Sequence, residues 1–149
     1  VVLSRGLGDV YKRQIEEHFD QLVDQVTFNL LDRIEKEDLS IIATGAMDFL
    51  GNKFSSKFGI QDCIATKTEF INNKISGRLD GLPNFGSDKK ANVEEWCKRK
   101  NISKEKIIFY TDSINDFPLV EYSPKNVIVC PDHKLGKFAQ ENKLEIIYR

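Results

Sequence analysis

The chain reads as an α/β protein, a three-layer sandwich on a mostly parallel sheet, and three observations lead there. Short apolar runs recur at Ile41-Ile42-Ala43, Ile107-Ile108-Phe109-Tyr110 and Val127-Ile128-Val129, continuous rather than alternating, as strands buried on both faces are. Between them lie segments whose apolar residues return every three or four positions, the period of a helix with one buried face. One of the strands also discharges directly into two carboxylates, Asp112 and Asp116, at the carboxyl end where ligands of open α/β sheets gather.

Residues 1–14 have no helical or strand continuity with the chain from Ile15 onward and look like a translated sequencing adapter, which places them outside fold reasoning; an ordinary frayed terminus is the alternative. From Ile15 the positions Phe19, Leu22, Val23, Val26, Leu30, Leu31 and Ile34 predict a long amphipathic helix ending near Glu37. Residues 39–44 read as a strand, followed by a helix with Leu50, Phe54 and Phe58 on its apolar face that stops at Gly59. Cys63-Ile64-Ala65 is a further short apolar run. The stretch 68–77 holds two brief strand-like pieces around Asn72-Asn73, a pair that tolerates positive φ, so a β-hairpin flap is expected. Gly86-Ser87-Asp88 opens a helix carrying Val93, Trp96 and Cys97 inward and stopping at Asn101. A strand over 106–111, a short helix from Phe117 to Glu121, a strand at 127–129, a helix over 134–142 and a last strand over 144–147 complete the alternation, which implies βαβ units.

Composition narrows the function classes. With 149 residues, 40% of them hydrophobic, the chain suffices for one domain with a real core, residues 15–149. A net charge of −1, with basic and acidic residues interspersed throughout, argues against a nucleic-acid partner. No apolar run approaches the roughly 18 residues of a membrane span. Cys63, Cys97 and Cys130 are odd in number and form no C-x-x-C pair, so neither a zinc site nor a disulfide framework is indicated, and a reduced, cytoplasmic setting is expected. Oligomeric state is not legible.

The chemistry-bearing residues fall at equivalent places in the alternation. Thr44 lies just past a strand, Lys89 in the first turn of a helix, and Asp112 with Asp116 past another strand. Taken singly, Thr44 also suits a helix cap, the Asp-Ser-Ile-Asn-Asp run also suits a turn, and Lys90 competes with Lys89. Together, a hydroxyl, an ammonium and a carboxylate-held magnesium ion are what a phosphate's oxygens require. Ser113 and Asn115 stand where they would orient the acid pair, and Asn115 equally suits an Asx bond that stabilises its own turn.

In order and spacing these residues resemble the haloacid dehalogenase-like superfamily of phosphatases, in the branch typified by phosphoserine phosphatase. Ile41-Ile42-Ala43-Thr44-Gly45 looks like its second motif, Gly86-Ser87-Asp88-Lys89 its third, and Thr111-Asp112-Ser113-Ile114-Asn115-Asp116 its fourth; Gly77-Arg78-Leu79-Asp80-Gly81 and Val129-Cys130-Pro131-Asp132 resemble linking segments. The resemblance spans residues 40–149. It implies a Rossmannoid fold with a helical cap, part of which residues 15–36 would supply. It implies phosphate binding by Thr44, Gly45 and Lys89, with Thr44 and Lys89 catalytic, and Mg2+ held by Asp112 and Asp116. The substrate it implies is a small phosphorylated metabolite. The family's first motif, Asp-x-Asp-x-Thr, whose leading Asp forms a phosphoaspartyl intermediate, occurs nowhere in this sequence. The expectation is therefore a fragment of a longer phosphatase that lacks nucleophile and central strand and does not turn over substrate. Phosphoryl transfer to another acceptor and a non-catalytic phosphate- or magnesium-binding module are the alternatives.

Overall fold

The computed structural model describes residues 14, 17, 18, 21, 25–31 and 39–148. Of the adapter-like stretch 1–14, residues 1–13 lie outside them, and of the helix expected over 15–37 the continuous described part is α1, Gln25–Leu31. The chain divides into two units, Val1–Asn84 and Phe85–Arg149.

In the first unit, β1 (Ile41–Met47) is followed by α2 (Asp48–Phe58), β2 (Asp62–Thr66), β3 (Thr68–Ile71) and β4 (Lys74–Leu79). β1 and β2 run parallel, Ala43 facing Ile64 and Met47 facing Thr66. Four steps along β1 thus match two along β2, and this bulge carries the strand past Thr44, where the apolar run alone stops it. α2 ends as expected at Gly59, whose φ of 67° lets Ile60 N–H reach Ser55 O at 2.9 Å. α2 also lies close on the strands through Gly51, where a Cβ would stand 2.7 Å from Cys63 Sγ and 3.3 Å from Thr44 Cγ2. The expected hairpin is β3–β4, antiparallel and turned through Asn72 and Asn73 at φ 51° and 62°.

The second unit begins with α3 (Gly86–Arg99), then β5 (Ile108–Thr111), a 3-10 turn at Ile114–Asp116, α4 (Phe117–Tyr122), β6 (Lys125–Val129), α5 (His133–Glu141) and β7 (Glu145–Ile147). The sheet order is β5-β6-β7, parallel throughout. β6 is central, which is why its Val127 and Ile128 are buried and its apolar run is unbroken. Ile128, Leu135 and Ala139 form the core, with Ile114, Phe138, Leu144 and Ile146 packed against it. Phe117 meets Phe138 edge-on at 5.1 Å. α3 buries Val93, Trp96 and Cys97 as its period predicts, and left-handed Asn101 turns the chain away. β5 starts two residues later than the strand expected over 106–111, because Lys104–Lys106 form a 3-10 turn. Among the described residues, β1 and β5 each pair on one side only.

Candidate active site

In the second unit the polar residues converge on the carboxyl end of β5. α3 presents residues 89, 93, 96 and 97 on one buried face, so Lys89 occupies a core position of an otherwise apolar stripe and is only 6% exposed. A lysine there demands a partner. It has one in Asp116, whose Oδ1 lies 2.5 Å from Lys89 Nζ. The other oxygen of Asp116 accepts from Thr111 Oγ1 at 3.0 Å, and Thr111 is the buried last residue of β5. Strand end, helix start and 3-10 turn are thereby joined through one carboxylate. Lys90 points the other way, 3.5 Å from Glu94 and 5.6 Å from the centre of the Tyr122 ring.

Asp112 differs from Asp116 in every respect. Its side chain is exposed, with no hydrogen bond or ion pair among the described residues, while its backbone O accepts from Asp132 N–H at 2.9 Å. Ser113 Oγ accepts from Asn115 N–H at 3.2 Å and so caps the turn that swings Asp116 back toward Lys89. The loop therefore offers one carboxylate already neutralised and one open to solvent.

In the first unit, Thr44 and Gly45 lie in the bulge of β1. Thr44 Oγ1 accepts from Ala46 N–H at 3.0 Å, which leaves the hydroxyl hydrogen to donate elsewhere. The hydroxyl does not cap α2, whose cap residue is Met47 without a side-chain bond. Gly45 is exposed, and its O accepts from Thr66 Oγ1 at 2.8 Å. Beneath them Asn84, 1% exposed, donates through Nδ2 to Thr44 O at 2.8 Å and Ile64 O at 3.0 Å, while its own N–H donates to Thr66 Oγ1 at 3.0 Å. One buried amide thus closes the ends of both strands and fixes the backbone of Thr44. Asn84 and Asp132 escape a reading of the sequence, the first because it follows a Gly-Leu-Pro turn and looks like more of it. The signal for Lys89 over Lys90, by contrast, was present in the helical period.

The profile of a family described as haloacid dehalogenase-like hydrolase matches residues 1–121. A histidinol-phosphatase of Neisseria meningitidis is 28% identical over 108 residues, 70% of this chain and 49% of that protein. The phosphoserine phosphatase SerB1 of Mycobacterium tuberculosis is 27% identical over 97 residues, 65% of this chain and 32% of that protein. A crystal structure of a Bordetella pertussis protein of unknown function superposes with a TM-score of 0.80 at 23% identity, over 93% of this chain and 65% of that one, and shares the fold. The chain thus spans about half of the first relative's length and about a third of the second's. The matched profile, which covers well over half of the chain, shows that it belongs to the haloacid dehalogenase-like hydrolases, an enzyme family.

Proposed function

We propose that this chain is the phosphate- and cation-binding part of a Mg2+-dependent phosphomonoester hydrolase. The observation that carries this reading is the loop after β5, where Asp112 stands open beside an Asp116 held by Lys89 and Thr111. The donor set fits magnesium: two carboxylate oxygens on one short loop suffice for an ion that takes the rest of its shell from water and a substrate phosphate. Among the described residues no group of three or more His, Cys, Asp or Glu is placed to hold a metal. Asp112 and Asp116 would hold it, and when bound it would neutralise charge developing on the phosphoryl oxygens.

The remaining roles derive from what each group can donate. Thr44 keeps a hydroxyl hydrogen for a phosphoryl oxygen, Gly45 presents exposed backbone, and Lys89 is a point charge that a phosphate can recruit. Because the Asp-x-Asp-x-Thr nucleophile motif is absent from the sequence, hydrolysis through a phosphoaspartyl intermediate belongs to the complete parent protein, and this polypeptide does not turn over. The substrate class is a small phosphorylated metabolite. Phosphoserine, or histidinol phosphate, which the relatives' names specify, are the compounds to try. The free thiols Cys63, Cys97 and Cys130 support a reducing, cytoplasmic setting.

Titration calorimetry of the chain with Mg2+, and with tungstate as phosphate mimic, tests the reading. Cation binding that Asp112→Asn abolishes, and anion binding that Lys89→Met weakens at least about tenfold, a change of 1.4 kcal/mol, are expected. Heats unaffected by either substitution would overturn it, and release of phosphate from any monoester by the pure chain would overturn the proposed inactivity.

A further inference from the structure

We propose that Asp132 is the positioning residue of the loop that carries Asp112 and Asp116, fixing it to the start of α5. The reading deepens the proposed function, since it rests on that loop being the cation site. Three contacts assign the role. Asp132 N–H donates to Asp112 O at 2.9 Å, Asp132 Oδ2 accepts from Ile114 N–H at 2.7 Å, and Asp132 Oδ1 accepts from Leu135 N–H at 2.8 Å as the cap of α5. One residue therefore grips the loop on both sides of Ser113 while its second oxygen is anchored to a helix. That anchor is firm, because Leu135 and Ala139 on the same helix are fully buried in the core of this unit.

The chain takes trouble to bring Asp132 there. Cys130, directly after β6, adopts φ of 43°, a left-handed conformation that a cysteine enters at a cost, and its N–H is tied to Ile147 O at 2.8 Å. Pro131 then stiffens the step to Asp132. The Leu135 and Ile114 N–H groups thus engage both oxygens of the Asp132 side chain. Asp112 needs such help most, since its own side chain has no partner among the described residues to set its direction. A carboxylate that is to meet a cation must have its backbone held by something else, and the Asp132 main chain and side chain do this from either side.

The two duties of the carboxylate separate by substitution. Asn is as good a helix cap as Asp but has one acceptor oxygen, so Asp132→Asn keeps either the Leu135 bond or the Ile114 bond, not both. The cap bond, on a rigid buried helix, is the one retained. Asp132→Ala loses both. The readouts are Mn2+ affinity of the intact chain by water-proton relaxation, amide hydrogen exchange at Ile114, and the thermal midpoint. Expected for Asp132→Asn is a midpoint near wild type, Ile114 exchange accelerated at least about tenfold, and Mn2+ affinity reduced about 10- to 100-fold, as for other residues that support a metal ligand. Asp132→Ala should also lower the midpoint. Wild-type Mn2+ affinity and Ile114 exchange in Asp132→Asn would reduce Asp132 to a helix cap and overturn the inference. Should the wild-type chain not bind Mn2+ at all, the proposed function falls, while Ile114 exchange in the two variants still decides whether Asp132 holds the loop.

Discussion

Replacing Asn84 by Ala should be the most damaging single polar substitution in the first unit. The side-chain amide is 1% exposed and donates to two strand-end carbonyls, Thr44 O and Ile64 O. Ala removes both bonds and leaves two part-buried acceptors short of a donor. Each unsatisfied buried acceptor costs about 1–3 kcal/mol. Water entering the space left by the amide recovers part of this, so we expect about 2–4 kcal/mol in all. For a chain of this size that is a fall of about 6–12 °C in thermal midpoint, at ~3 °C per kcal/mol. Asn84→Asp, nearly isosteric, should be at least as costly, since it sets a carboxylate against two carbonyl oxygens with no cavity to blame. Urea unfolding followed by far-UV circular dichroism measures both variants. A loss below about 1 kcal/mol in Asn84→Ala, with an unchanged m-value, would refute the claim that this amide closes the strand ends.

Lys89→Met strips Asp116 of its counter-charge at a site where the two side chains are 8% and 13% exposed. Breaking a pair so buried should cost about 3 kcal/mol, and a denaturation midpoint within error of wild type would contradict it. Gly51→Ala should destabilise by about 1–3 kcal/mol, because the added methyl meets Cys63 Sγ; adding Cys63→Ala should recover part of the loss, and a double variant no better than the single would place the clash elsewhere. Burial and then Glu94 push the Cys97 thiol above its ordinary 9.0. Above that pH the unfolded chain therefore loses its proton first, and stability should decline as pH rises further. The decline should be shallower in Cys97→Ala, and parallel pH profiles would exclude the thiol as its source.

What the sequence revealed and what it hid divide along physical lines. Signals carried by one segment were legible: the apolar run into Asp112, the Asn72-Asn73 turn, the stop at Gly59, the buried stripe of α3. Each depends on local conformation or on a repeat within one element. The overrun of β1 past Thr44 was not legible, because the bulge there is held by Thr66 and Asn84, 21 and 40 residues further along. The same holds for Asp132. Its neighbours in sequence mark a helix start, and only the tertiary fold shows that its other oxygen reaches Ile114, 18 residues earlier. The choice between Lys89 and Lys90 was in the pattern all along, since only the former falls in register with Val93, Trp96 and Cys97.

The 2.5 Å contact between Lys89 and Asp116 carries one more consequence. The oxygen that the ammonium occupies is one that a divalent ion would also claim, so in the absence of anion the two positive charges compete for it. On the proposed function, a phosphate that recruited the ammonium would vacate the oxygen. By thermodynamic reciprocity, each occupant then tightens the hold on the other by the same factor. On the proposed function, ion and phosphate are thus captured in synergy, and either alone is poorly retained.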